Sequence, residues 1–279
     1  MKIYSGNISK LVVKHAIPVS YALPIGEDVI PLNALIGLNI QMIFEQVIQC
    51  IACGRKIPKS FQQGYCFPCT RKLAQCDLCV LKPVLCHYHQ GTCREPQWGD
   101  THCMIPHVVY LSNTSGLKVG LTRENQIPTR WIDQGAVSAV PLYTTKTRRI
   151  AGYIEAEMSK TMKETTQWQK MLKNIVLDID LAAERKKILS QNQKILKNII
   201  KKFGPQSVEE ISDAQIYQFE YPVIEYPEKV RALSFDKTPT IEGILKGIKG
   251  QYLLLDSGVL NIRKFSGYQI QFIPYSSSR

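Results

Sequence analysis

Three Cys-x2-Cys turns follow one another closely: Cys50-Ile-Ala-Cys53, Cys66-Phe-Pro-Cys69 and Cys76-Asp-Leu-Cys79. All nine cysteines of the 279-residue chain fall between Cys50 and Cys103. Each turn holds two thiolates at the separation a tetrahedral ion needs. Two such turns joined by the twelve residues from Gly54 to Tyr65 fold over one Zn2+ as a ribbon. A disulfide framework would need an oxidising compartment and is usual in much shorter chains, and Met1 to Lys10 carries no apolar signal-peptide core. The pattern therefore predicts zinc and a cytoplasmic protein.

With Cys50, Cys53, Cys66 and Cys69 assigned to one ribbon, Cys76, Cys79, Cys86, Cys93 and Cys103 remain, together with His87, His89 and His102. A second site is expected to take Cys76 and Cys79 as one half and two of Cys86, Cys93 and Cys103 as the other, with His87 or His102 as substitutes. A third ion would leave almost no spare donor, so about two zinc ions are expected per chain. Four thiolates leave no open position for a reacting water, so the metal is read as structural. His89 and His107 are read as ordinary hydrogen-bonded imidazoles.

Lys and Arg number 35 against 23 Asp and Glu, a formal charge of +12. Two four-thiolate zinc sites would lower this to roughly +8, which still favours a phosphate polymer, DNA or RNA, over an acidic partner. Apolar windows such as Val29 to Val47 are broken well short of the ~20 residues a membrane span needs, so no membrane partner is expected.

Outward from the cysteines the chain divides into a β-rich segment 1–49, the metal segment 50–106, an α/β module 107–175, a basic helix 176–204 and a β-rich segment 205–279. The fold class is α+β. Period-two apolar runs between Gly and Pro turns mark the strands of both terminal segments, which are expected to pair as one barrel-like sheet. Val230 to Phe235 reads as a strand, and the acidic stretch around Glu209, Glu210 and Asp213 as a linker. In the basic helix Leu181, Ile188, Ile195, Ile199 and Phe203 share one face, while Lys194, Lys197 and Lys201 offer a stripe that could track phosphates.

The module opens with His107-Val-Val-Tyr-Leu111 and Leu117-Lys-Val-Gly-Leu121 around a polar turn. A short helix after Pro128 carries Arg130, Trp131 and Gln134; Val137 to Tyr143 is a third strand, placed at an edge by Pro141; and Ile150, Ile154 and Met158 mark a longer helix. In order and spacing this segment resembles the GIY-YIG nuclease module. Val108-Val-Tyr110 stands for the first motif and Lys118-Val-Gly120 for the second, nearest to the variant whose second motif reads Lys-Ile-Gly. The whole chain also resembles an uncharacterised bacterial family that joins a cysteine-rich zinc segment to such a module.

The resemblance implies hydrolysis of a phosphodiester with one divalent ion, Mg2+ or Mn2+. Tyr110 would position or deprotonate the attacking water, Arg130 would stabilise charge on the phosphate, and Glu155 would hold the metal. Lys118 replaces the second-motif tyrosine and Val108 the first glycine. Lys118 would either contact phosphate or mark a module that binds without cutting. Two readings follow: a zinc-containing nucleic-acid-binding protein built around a GIY-YIG-like module, a nuclease or a descendant of one, or a non-catalytic protein whose zinc ribbon and β-barrel bind RNA, DNA or a protein.

Overall fold

The computed structural model describes residues 2–162 and 167–275. The chain runs through β1 (Tyr4–Asn7), β2 (Val12–Lys14), β3 (Ser20–Ile25), β4 (Asp28–Pro31), β5 (Asn39–Gln49) and β6 (Lys56–Ile57), then short helices α1 (Phe67–Lys72), α2 (Leu78–Leu81) and α3 (Pro96–His102). Next come β7 (His107–Asn113), β8 (Leu117–Arg123), α4 (Thr129–Asp133), β9 (Ser138–Thr145), α5 (Arg148–Met158), α6 (Trp168–Leu172), α7 (Leu181–Gln191) and α8 (Gln193–Phe203). The last strands are β10 (Val208–Glu210), β11 (Tyr217–Gln218), β12 (Thr240–Lys249), β13 (Tyr252–Leu255), β14 (Gly258–Asn261) and β15 (Tyr268–Tyr275).

Strand β5 is the spine. Its alternate residues Ile40, Met42, Phe44 and Ile48 point into the core, and it pairs with β12 on one flank and β15 on the other. The two terminal segments thus share one antiparallel sheet, in the order β1-β15-β5-β12-β13-β14. The expected barrel does not close: among the described residues no pairing joins β1 to β14. At the β1 edge Gly6 approaches the β3–β4 hairpin closely. A side chain there would strike the backbone of Gly26, and this contact lets the hairpin β3–β4 lie against the strand that closure would use.

The stretch from Val230 to Phe235 also differs from its reading as a strand. It hangs on β14 through Leu233 N–H to Val259 O (2.9 Å) and Val259 N–H to Arg231 O (2.8 Å), with one isolated bridge at Ala232. The acidic stretch read as a linker contains β10, which pairs Val208, Glu209 and Glu210 with Thr145, Thr144 and Tyr143.

A second antiparallel sheet, β10-β9-β7-β8 with β11 also on β9, forms the α/β part. Here Pro141 lies in a central strand, not at an edge. Its missing N–H falls between the stretches of β9 that pair with β10 and β11, beside a bulge opposite Tyr110. One face of this sheet packs Val109, Leu111, Leu121 and Val140 under Ile150, Ile154 and Met158 of α5 and residues of α7 and α8. The other turns Val108, Tyr110 and Ala139, with Trp131 and Ile132, into the core of the terminal sheet. The single basic helix expected over 176–204 is divided at Asn192, whose side-chain amide donates to Ile188 O at 2.8 Å. Among the described residues no helix is long and apolar enough to cross a membrane.

Candidate functional site

The metal segment is built inside out. Between residues 58 and 106 the buried positions are Gly64, Cys66, Ala74, Cys76, Pro83, Cys86, Gly99 and Cys103, whereas Phe67, Leu78, Leu81 and Leu85 are exposed. Thiols occupy the place of a hydrophobic core. The sulfurs of Cys50, Cys53, Cys66 and Cys69 lie within 4.8 Å of one another. Cys53 Sγ and Cys66 Sγ are 3.8 Å apart, close to the separation that tetrahedral Zn–S bonds of about 2.3 Å give. The loops are aimed by backbone donors: Cys66 N–H points to Cys50 Sγ (3.2 Å) and Cys69 N–H to Cys66 Sγ (3.4 Å). Burial raises the Cys50 thiol, but the N–H groups of Cys66, Cys53 and Ala52 outweigh it and bring it down to about 6. This four-cysteine cluster could hold a zinc-like ion.

The second group assembles differently from the expected Cys76/Cys79 half-site. Cys79, Cys86, Cys93 and Cys103 line one small cavity with Asp77, His87 and Arg94. Cys76 is not among its lining and instead neighbours Arg94, Cys50, Glu95 and Cys66 on the ribbon side. Because α2 begins between the two cysteines, its first turn points them apart. His102 is also elsewhere: its ring stacks on Trp98 (centroids 4.3 Å apart), and its Nδ1 lies 3.1 Å from Trp98 O. His107 is buried, with Nδ1 2.8 Å from Ile105 O, and burial lowers its pKa to about 4.

A third group forms where the second sheet meets α4 and α5. Tyr110 lies opposite Gly120 and Ser112 opposite Lys118, so the phenol and the ammonium rise on one face of the hairpin. A Cβ on Gly120 would sit 2.7 Å from the Tyr110 hydroxyl, so glycine makes room for that hydroxyl. The hydroxyl donates to Gln134 Oε1 at 3.1 Å, and the ring meets Trp131 edge on at 5.5 Å. Burial pushes the Tyr110 pKa up to about 12; nearby Arg130 opposes this and Glu155 reinforces it.

The same groups act on each other throughout. Burial brings Lys118 down to about 8, with Arg130 pushing the same way and Glu155 against it. Burial raises the Glu155 carboxyl above its usual range, and Arg148, Arg130 and Lys118 pull it back. Tyr110, Lys118 and Glu155 thus all lie within electrostatic reach of Arg130, and Arg148 acts on Glu155 as well. Glu157 stays out, exposed and paired with Lys160 at 2.6 Å.

Arg148 was not singled out from sequence, yet a signal was present. Arg148 and Arg149 stand in the first turn of α5, where the helix dipole disfavours cations, and Arg148 lies two turns from Glu155 on the same face. A cleft of about 560 Å³ is lined in part by Lys10, Tyr65, Gln75, Val80 and Arg263, and by none of the five residues of this group. Lys10 pairs with Asp133 of α4 at 2.8 Å, and the charge of Arg263 is felt together with that of Arg130. On α8 Lys194, Lys197 and Lys201 are exposed, while Lys202 Nζ sits 3.9 Å over the Tyr153 ring of α5.

A family model described as a protein of unknown function (DUF2797) matches residues 37–270. No curated protein and no solved structure matches the chain.

Proposed function

The chain belongs to the DUF2797 family, and we propose that this member is a zinc-containing nucleic-acid-binding protein whose Tyr110, Lys118, Arg130 and Glu155 hydrolyse a phosphodiester. The observation that supports this reading is that Tyr110 and Lys118 rise on one face of the β7–β8 hairpin, with Tyr110 hydrogen-bonded to Gln134 one turn beyond Arg130, and that the charges of Arg130 and Glu155 act on both. Two guanidinium groups and one ammonium act electrostatically on a single carboxylate. Such a site has surplus positive charge and suits a phosphate diester.

Glu155 is the carboxylate available to a divalent ion, and among these cations it would hold one only together with phosphate oxygens. Mg2+ or Mn2+, when bound, supplies further charge neutralisation on the phosphate. Tyr110, with a pKa near 12, stays protonated at neutral pH and acts as a hydroxyl that positions water. Lys118, at about 8, is the group best placed to take the proton from that water as its oxygen attacks phosphorus. Arg130 and Arg148 stabilise the charge that develops on the phosphate oxygens. The cleft past Lys10 and Arg263 and the lysines of α8 would carry the flanking strand.

The replacement of the second-motif tyrosine by Lys118 favours one other reading, a module that binds the strand and leaves it whole. A cleavage assay on branched and single-stranded substrates separates the two. Hydrolysis that needs Mg2+ or Mn2+, is lost in Glu155→Gln and falls about 10²-fold or more in Arg130→Ala supports the enzyme. Binding without cleavage, untouched by Glu155→Gln, replaces it with the interaction protein.

A further inference from the structure

Nine cysteines cannot all belong to the ribbon, and five of them stand outside it. We propose that Cys79, Cys86, Cys93 and Cys103 form a second four-thiolate zinc site that clamps the N-terminus of α5 and with it the cluster around Glu155.

Four observations carry this. The four residues line one cavity although they come from four places: the first turn of α2, the end of the single-turn helix Pro83–Leu85, the loop before α3, and the C-terminal cap of α3. Nothing apolar explains their convergence, because none of the three hydrophobic clusters contains a residue from 58 to 106. A metal ion supplies the missing cohesion in a segment of such short helices. Gly99 is packed so closely that a Cβ there would touch the Tyr88 ring at 2.9 Å and Cys93 Sγ at 3.5 Å, which shows how tightly α3 closes over the thiols.

Of the competing ligands, Asp77 is engaged through both oxygens and His87 is held through Nδ1. Asp77, Cys79 and His87 do place an oxygen, a sulfur and a nitrogen within 4.8 Å of one another. However, Asp77 Oδ2 takes Arg94 Nε at 2.7 Å, Asp77 Oδ1 takes the Cys79 N–H at 3.1 Å, and His87 Nδ1 lies 2.8 Å from Thr92 Oγ1. These bonds make Asp77 a supporting group that orients the α2 turn, whereas the Nδ1 bond leaves His87 Nε2, 3.5 Å from Asp77 Oδ2, as the one atom that competes with the sulfurs. The four sulfurs line the cavity without all lying within 4.8 Å of one another, and a soft ion would draw them together around itself.

The clamp is visible in the backbone. Cys103 O accepts the N–H of Arg148, the first residue of α5, at 2.8 Å, and Val80 O accepts Arg148 Nη2 at 2.6 Å. Pro83 lies against Gly152 one turn further along, so closely that a side chain there would collide with it. Thiolate loops thus hold the helix that carries both Arg148 and Glu155.

The test begins with unmodified protein purified under reducing conditions. Elemental analysis should give about two zinc ions per chain. Cobalt replacement should give sulfur-to-metal absorption that Cys93→Ser lowers by roughly one thiolate in eight. Cys76→Ser and His87→Ala should keep both ions, whereas Cys86→Ser with Cys93→Ser should keep only the ribbon ion. Hydrogen exchange of the amides in α5 should quicken in that double variant and not in Cys76→Ser. One ion per chain in the unmodified protein overturns the proposal, as does loss of the second ion in Cys76→Ser or His87→Ala. Because metal content and exchange are read without any substrate, failure here is distinct from failure to cut nucleic acid.

Discussion

Tyr110 on β7 donates its hydroxyl to Oε1 of Gln134 at 3.1 Å, and Gln134 stands one helical turn beyond Arg130. The hydrogen bond ties the hairpin that carries Lys118 to the helix that carries Arg130. Its partners are fixed in turn, since Asp133 takes Lys10 Nζ and Gln251 Nε2, both at 2.8 Å, and Tyr221 donates to Ala136 O at 2.6 Å. Both terminal segments therefore hold the short helix α4 in place, which five residues could not do alone.

Removing that hydroxyl separates structure from chemistry. Tyr110→Phe keeps the ring against Trp131 and leaves Gln134 Oε1 without its donor, so stability should fall by ~1 kcal/mol, or about 2–4 °C in Tm. If Tyr110 also positions the attacking water, cleavage should drop by about 10²-fold or more, well beyond that stability loss. Gln134→Ala makes a useful control, because it removes the acceptor and spares the hydroxyl. Equal rates in wild type and Tyr110→Phe would take Tyr110 out of the mechanism.

Lys118 gives the site a pH signature. Its folded pKa of about 8 lies below the ordinary lysine value of 10.5, so between those limits the unfolded chain binds more protons and stability rises with pH. Lys118→Met should therefore stabilise the protein at neutral pH, and the gain should fade as pH approaches ~10.5. Function should show two opposed trends. Affinity for a phosphate polymer should weaken as pH passes 8 and the ammonium is lost, while cleavage per bound complex should rise toward 8 as the amine is freed. A flat profile in both would mean that Lys118 touches neither strand nor water.

Charge on α8 is tested through salt. Lys194, Lys197 and Lys201 lie exposed on one helix whose buried side is anchored by Ile199. Changing all three to Gln should reduce the slope of log affinity against log salt by up to roughly 2–3, because each phosphate contact contributes 0.7–0.9. Stability should hardly move, since exposed surface changes usually stay within about 0.5 kcal/mol. An unchanged slope would make the stripe a solvated face.

Much of this was legible in sequence because local spacing encodes it. The four-cysteine cluster of Cys50, Cys53, Cys66 and Cys69 follows from two tight turns, and the strands of the hairpin follow from period-two apolar residues. What spacing cannot encode is a neighbour drawn from elsewhere. Cys76 and Cys79 form the same short motif as the ribbon pairs, yet the start of α2 between them sends Cys76 toward the ribbon and Cys79 toward the cavity. Pro141 signalled an edge, but two short strands that pair on either side of it conceal a central position. Arg148 was visible only as a cation against the helix dipole, a cost that makes sense once Glu155 and the thiols are beside it.

The seam between α5 and the metal segment yields the sharpest structural prediction. Gly152 faces Pro83 with no room for a methyl group: a Cβ there would fall 2.4 Å from Pro83 Cβ and 3.2 Å from the Pro83 carbonyl carbon and Val84 N. In a helix interior alanine is ordinarily the better residue by about 1 kcal/mol, so Gly152→Ala would stabilise an isolated α5. In the folded chain the clash should dominate and cost roughly 1–3 kcal/mol, because neither a proline ring nor backbone can step aside as a flexible side chain would. The damage should also be directional. Protease sensitivity should rise between residues 78 and 106 more than around the four-cysteine cluster of Cys50, Cys53, Cys66 and Cys69. Pro83→Gly, which removes the Cβ that is struck, should partly restore stability to Gly152→Ala in a double-mutant cycle. If Gly152→Ala melts at or above the wild-type temperature, the seam is loose, and neither Arg148 nor Glu155 owes its place to the metal segment.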